Sequence, residues 1–194
     1  MNWDWLRWQV GRRARSLLTV LAFFAALTAV LGGIWLALQP ALRRARARAR
    51  WASCASNVKS VALMLRVYAA DNDERLPPST AWTTAAALYL KNVAELDCPE
   101  VPESRQRSYA FNSNLDGVER LADVRSPGRC PMVWDSSTLR PNAADPGTSV
   151  AARHLGGANV AFADAHVKLV RDPSALVFDP LAPGPGESRK PAGR

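Results

Sequence analysis

The hydrophobic pattern changes character twice along this chain. From Ser16 to Leu38 it reads SLLTVLAFFAALTAVLGGIWLAL, 23 residues without a charge. As an α-helix rising 1.5 Å per residue, this stretch spans about 35 Å, enough to cross a hydrocarbon core of about 30 Å. Its polar residues, Ser16, Thr19 and Thr28, carry hydroxyls that can bond back to helix carbonyls. A core helix is rarely apolar on every side at this length, and the apolar region of a cleaved secretory signal covers only about 7–15 residues. The expectation is a retained transmembrane helix over 16–39. Helix signals then resume beyond Pro40, with no Gly or further Pro until Pro77. Trp51, Cys54, Val58, Val61, Leu65 and Tyr68 recur at alternating spacings of three and four, which is one apolar stripe on a helix. Asn57, Lys59 and Arg66 fall on its other faces. This predicts an amphipathic stalk over 40–76, packed along one side and ended by Asp71-Asn72-Asp73-Glu74 and Leu76-Pro77-Pro78.

Beyond the stalk the pattern shortens. Ala81 to Lys91 reads as a short helix with Trp82, Ala86 and Tyr89 (or Leu88) on one side. Ser108–Asn112, Cys130–Asp135 and the segment from Arg153 to Val170, RHLGGANVAFADAHVKLV, read as strands separated by turn-rich stretches. If Asp164-Ala165 is a two-residue turn, Ala163 faces His166, Phe162 faces Val167, Ala161 faces Lys168 and Val160 faces Leu169. That register sorts Val160, Phe162, Val167 and Leu169 onto one apolar face. Such a turn needs φ > 0 at both central residues, which costs Ala165 about 1 kcal/mol. Residues 173–194 are rich in Pro and Gly, especially from Asp179 on, and read as a disordered tail. The expected class is α+β: a basic segment 1–15, a transmembrane helix 16–39, a stalk 40–76, a small α+β domain 77–172 and the tail 173–194.

Charge alters this picture only at the N-terminus. Nine of the 25 basic residues lie before Trp51, against one acid, Asp4; the remainder of the chain holds 16 of each sign. The net charge of +8 therefore belongs to the flanks of the apolar segment, and the charge pattern does not support a domain-wide basic face for nucleic acid. The arginines, 43–50 included, read as lipid head-group contacts; alanines rather than aromatics separate that run. Trp3, Trp5, Trp8 and Trp35 read as interfacial aromatics. Arginine count alone, slightly higher on the C-terminal flank, would place the domain in the cytoplasm.

Candidate chemistry is sparse. Both histidines, His154 and His166, lie in the hairpin segment with Asp164 between them. Together they could form a facial triad for a divalent metal, with only Asp135 or Asn159 as a further donor. The local alternative gives Asp164 the backbone amides of its own turn and His154 a buried backbone group. The hairpin is the first reading. No nucleophile constellation, phosphate-binding glycine loop or C-x-x-C occurs, and Asp71–Glu74 lacks the glycine and later glutamate of a calcium loop. No catalysis and no cofactor are expected; the alternative is a membrane-anchored metal-binding or enzymatic domain using His154, Asp164 and His166.

Four segments in order, ALRRARARARWASCASNVKSVALMLRVYAADNDERLPP (41–78), ELDCPE (95–100), SYAFN (108–112) and RHLGGANVAFADAHVKLV (153–170), resemble the type II secretion pseudopilin-like proteins with a C-terminal H-x9-D-G motif, part of the wider type IV pilin-like group. The motif histidine falls on His154 and its aspartate on Asp164, with Ala165 in place of glycine. The resemblance implies a helix anchored in the bacterial cytoplasmic membrane, its second half packed on a small antiparallel sheet outside that membrane. It implies a non-enzymatic role in a secretion or pilus-like assembly, with the bilayer and other pseudopilin-like or secretion-system proteins as partners. It also implies a Cys54–Cys98 disulfide in an oxidising compartment, the alternative being two buried thiols; Cys130 is left over as a small core residue. The resemblance stops at the N-terminus. Gly11 is followed by Arg12-Arg13-Ala14-Arg15 rather than an apolar run, and the hydrophobic segment holds no glutamate. A permanently retained anchor in place of a cleaved leader is expected.

Overall fold

The computed structural model describes residues 3–101 and 107–184, with side chains from residue 18 on. The basic segment 1–15 with Trp3, Trp5 and Trp8, and the last part of the tail, 185–194, therefore lie outside the residues whose side chains are described. The chain divides into two compact units, Met1–Arg46 and Ala47–Arg194.

Helix α1, Trp3–Asp71, runs through Pro40 without interruption. In the first unit its apolar segment packs against nothing among the described residues: Phe23, Leu31 and Leu36 are each more than half exposed. The segment is long and apolar enough to cross a membrane. In the second unit the same helix is one-sided. Cys54, Val58, Val61 and Leu65 of the expected stripe are fully buried, joined by Ala62 and Ala69, while its two end members, Trp51 and Tyr68, are half-buried. The helix ends at Asp71 because Asp73 and Glu74 both turn left-handed, at φ 56° and 62°, and the Glu74 amide closes back on the Ala69 carbonyl at 2.8 Å.

The stripe lies on a five-stranded sheet of order β3-β1-β2-β4-β5, built from β1 (Tyr109–Asn112), β2 (Pro131–Asp135), β3 (Ala144–Asp145), β4 (Ala158–Phe162) and β5 (Val167–Val170). The expected antiparallel sheet is corrected to a mixed one. β1, β2, β4 and β5 are antiparallel, but the two-residue β3 pairs parallel with β1. Tyr109, Phe111, Val133, Ala161 and Ala163 point toward the stalk. The small residues on β4 let the helix approach closely, and Arg66 donates to the Ala163 carbonyl at 2.7 Å. Arg66 is itself exposed, off the buried stripe, and reaches the sheet only through this bond. Helix α2, Trp82–Tyr89, caps one end of this core: Trp82 stacks on Phe111 at 6.0 Å and donates to the Ala143 carbonyl.

A second core lies on the opposite face, where Ala110, Trp134, Ala158, Val160, Phe162 and Val170 meet Leu176 and Phe178. The first part of the expected tail is therefore placed. Residues 173–184 lie over the sheet, the Phe178 ring meeting Trp134 edge-on at 5.1 Å. The Phe178 carbonyl accepts from buried Asn112 at 2.9 Å, and the Pro180 carbonyl from the Arg125 amide at 3.0 Å. Any side chain at Gly147, whose φ is +104°, would collide with the Phe178 ring. Composition overlooked this because two aromatic and aliphatic anchors are enough to hold a Pro-rich strap when the sheet beneath is apolar.

The hairpin register also differs from the expected one. β4 and β5 pair Ala161 with Val167, Val160 with Lys168 and Asn159 with Leu169, one residue out of step with the two-residue turn. The loop is three residues, Ala163 to Ala165, closed by Ala165 N to Phe162 O at 2.7 Å and Phe162 N to His166 O at 3.0 Å. Only Ala165 takes positive φ, at 69°, so the turn is the ordinary kind followed by one left-handed residue. A glycine at this position would meet that demand without strain. The apolar sorting that favoured the other register is not required, because β4 is buried on both faces.

Candidate functional site

The H-x9-D segment is a pair of turns joined by a strand. His154 and Gly157 exchange backbone hydrogen bonds, Gly157 N to His154 O at 2.7 Å and His154 N to Gly157 O at 2.9 Å. Between them Leu155 and Gly156 both take positive φ, 47° and 77°, as a two-residue hairpin turn requires. Gly157 has no room for a side chain: a Cβ there would lie 2.8 Å from the Val170 carbonyl. This tight turn drives the His154 ring inward. β4 follows, then the turn at Asp164.

The expected triad is consequently not assembled. His154 precedes β4 and Asp164 follows it, so a five-residue extended strand of about 17 Å separates them. Asp164 and His166 pair with each other instead, Nδ1 to Oδ1 at 2.7 Å, on the exposed side of the turn. Asp164 Oδ1 also accepts from the His166 amide at 3.1 Å. Partial burial raises the Asp164 carboxyl, but the His166 amide and ring outweigh it and leave it below the usual carboxylate range. The turn role read for Asp164 matches this geometry. The role read for His154 does not, since its ring meets no backbone group.

His154 faces sulfur and carboxylate. Its Nε2 lies 3.2 Å from Cys98 Sγ and 3.5 Å from Asp135 Oδ2. Cys98 is joined to Cys54 in a disulfide with Cα atoms 5.3 Å apart. Cys54, Cys98, His154 and Asp135 are all buried. Each element delivers its residue for a local reason. Cys54 lies on the stalk's buried stripe. The Cys98 segment is held to the stalk by Asn57 Nδ2 to Asp97 O at 3.0 Å and by Arg50 to Glu100 at 2.8 Å. Asp135 ends β2 opposite Tyr109 of β1 and accepts from the Asn159 amide of β4 at 2.7 Å. Asn159 in turn accepts from the Trp51 indole of the stalk at 2.9 Å.

This polar cluster sits at the N-terminal end of the buried stripe, between Trp51 and Val58. Burial, then the Asp135 carboxylate, pushes the Tyr109 phenol well above its ordinary value. Arg153 donates to the Ser136 carbonyl beside Asp135. Four polar atoms here have no partner among the described residues: Asp135 Oδ1, His154 Nδ1, Asn159 Nδ2 and one Arg153 guanidinium nitrogen. Cys130 lies apart, buried near Asn112, with burial, the Asp179 carboxylate adding to it, pushing its thiol up to about 12. It is a core residue and a poor nucleophile.

Among the described residues, the only grouping of at least three His, Cys, Asp or Glu side chains close enough to hold a metal is Cys54, Cys98 and His154; Asp71–Glu74 and the Asp164 turn form none. Sequence reasoning named Cys54 with Cys98, and His154 separately, but did not connect them. The available signal was parity: Tyr109, Asp135 and Asn159 all fall on the strand face that meets the stalk. Comparison with protein-family models, curated proteins and solved structures returns no match.

Proposed function

We propose that this chain is a single-pass, membrane-anchored structural subunit of the bacterial cell envelope, of pseudopilin-like type, acting through protein–protein contact with its folded domain outside the cytoplasm. The observation that carries the reading is the buried disulfide. It fastens an N-terminal helix, apolar and unburied over its first half, to a sheet over its second half. A disulfide of this kind persists in oxidising compartments, which offsets the weak opposite signal of the arginine count. The two histidines are engaged, His154 inside the fold and His166 in its own turn.

Assembly through contact requires an apolar surface left over after folding. Leu63 on the stalk, Leu88 on α2 and Leu155 at the hairpin turn are 41%, 79% and 48% exposed. Photo-crosslinking residues placed singly at these three positions, in cells co-expressing two differently tagged copies, test the reading. A crosslinked product carrying both tags from at least one position is expected. Monomer from all three positions would contradict self-assembly.

A further inference from the structure

The polar cluster under the stalk is better furnished than a structural disulfide needs. A disulfide asks only for apolar burial, yet this one has an imidazole nitrogen, His154 Nε2, 3.2 Å from one sulfur, and a buried carboxylate oxygen, Asp135 Oδ2, 3.5 Å from that same nitrogen. Orphaned buried polar atoms are rare and mark a missing partner. Here Asp135 Oδ1 is one of them, while the Oδ2 of the same carboxylate faces His154 and accepts from the Asn159 amide. We propose that, once the Cys54–Cys98 bond is reduced, Cys54, Cys98, His154 and Asp135 form a buried four-ligand site for zinc or a similar divalent cation, so that disulfide and metal are alternative occupants of one place.

The geometry fits a tetrahedral ion. With bonds of about 2.3 Å to sulfur and about 2.0–2.2 Å to nitrogen and oxygen, neighbouring ligand atoms stand about 3.4–3.8 Å apart. The nitrogen–sulfur and nitrogen–oxygen separations of 3.2 and 3.5 Å are already near those values. The donor atoms of Cys54, Cys98 and His154 lie within 4.8 Å of one another. The two sulfurs have to separate, from about 2.05 Å when bonded to about 3.8 Å, and Asp135, which lies outside that group of three, has to close on the ion. The ligands come from four different places: the stalk, the segment before β1, β2 and the hairpin turn. An ion would thus join the same elements that the disulfide joins.

The chemistry balances with an external reductant of the phosphine class. The phosphine gives two electrons to the disulfide and takes oxygen from water to become its oxide; the two hydrogens of that water end on the sulfurs as thiols. Zinc then displaces both thiol protons to solvent, and binding is consequently weakened by acid. Two thiolates and one carboxylate exceed the charge of the ion by one, and the Arg153 guanidinium held at the Ser136 carbonyl supplies the compensating charge.

The test uses the full chain in detergent micelles, reduced with a phosphine and titrated with zinc, and with cobalt(II) as a spectroscopic substitute. One equivalent of metal per chain is expected in the reduced protein and none in the oxidised protein. Cobalt should give thiolate charge-transfer absorption, and zinc should raise the thermal midpoint of the reduced chain only. H154A and D135N should each weaken binding at least tenfold, while Cys130→Ser, outside the cluster, leaves it unchanged. A reduced chain that keeps its circular dichroism but binds no zinc overturns the proposal. So does zinc uptake that is indifferent to H154A, or that occurs only as the chain unfolds, since unfolded cysteines bind metal without a built site.

Discussion

Equilibrium unfolding of the chain in denaturant, in the presence of a chelator, is expected to lose about 4 kcal/mol when Cys54–Cys98 is reduced or when both cysteines are changed to alanine. The bond closes a loop with a sequence separation of 44 residues, and the chain-entropy relation for a loop of that size gives about 4 kcal/mol at 25 °C. Against the ~5–15 kcal/mol stability of an ordinary domain, this is a large share. The loss should appear as a lower midpoint with a changed slope, since the uncrosslinked unfolded chain exposes more surface. The stalk would not fall away altogether. Val58, Val61, Ala62, Leu65 and Ala69 still lie buried on the sheet; Val58, Val61 and Leu65 each contribute about 1.5–3 kcal/mol relative to exposure and the alanine methyls less. A loss below 1 kcal/mol would mean that this apolar seam alone holds the stalk and that the disulfide is incidental to it.

Truncation after Asp172 is expected to cost at least ~3 kcal/mol and to make the domain bind hydrophobic dyes. Leu176 and Phe178 cover the second core. Their removal exposes Trp134, Val160 and Phe162, now fully or nearly fully buried; deletion of a buried core aromatic costs about 3–5 kcal/mol, and the partly buried Phe178 together with Leu176 falls at the low end of that range. Asn112, fully buried, loses the Phe178 carbonyl as well, although its bond to the Pro131 carbonyl at 2.8 Å remains. Phe178→Ala in the full-length chain should reproduce most of the loss, which distinguishes ring packing from a general effect of shortening. An unchanged unfolding midpoint for both variants would place residues 173–184 where composition first put them, in a tail with no structural role.

These two predictions rest on parts of the fold that differed in legibility. The centre of the stalk stripe, Cys54, Val58, Val61 and Leu65, could be read from the sequence, because a helix period of 3.6 leaves a clear signature when one face alone is buried; Ala62 and Ala69, too small to stand out, could not. The strands were also legible as elements. Their register was not, since β4 is buried on both faces and its alternation carries no information about which side faces the helix. The one-residue slip followed from assigning positive φ to Asp164 as well as Ala165. The strap over the second core was hidden because its anchors, Leu176 and Phe178, are few among prolines and glycines. As for the cluster, Cys54, Cys98 and His154 were each visible. Their convergence depends on a two-residue turn, Leu155-Gly156, that folds the histidine under the stalk. Strand parity could gather Tyr109, Asp135 and Asn159 on one face, but no period or spacing brings His154 to them.

The positions of His154 and Asp164 at opposite ends of one strand also recast the H-x9-D motif. Its nine intervening residues are the turn Leu155-Gly156, then Gly157, then the whole of β4, then Ala163. The spacing measures a strand with its two turns. A shared ligand would bring the two residues together, whereas here one looks into the core and the other caps an exposed loop.

The central claim, a folded domain held outside the cytoplasm on a membrane-embedded helix, is tested most directly by the thiol state of the full-length chain in living bacteria. Cells are quenched with acid, free thiols are blocked, and disulfides are then reduced and labelled with a second reagent after separation of membrane and soluble fractions. The account predicts the chain in the membrane fraction, with Cys54 and Cys98 carrying the second label and Cys130 the first. Recovery of the chain in the soluble fraction, or of Cys54 and Cys98 as free thiols in the mature protein, would contradict it.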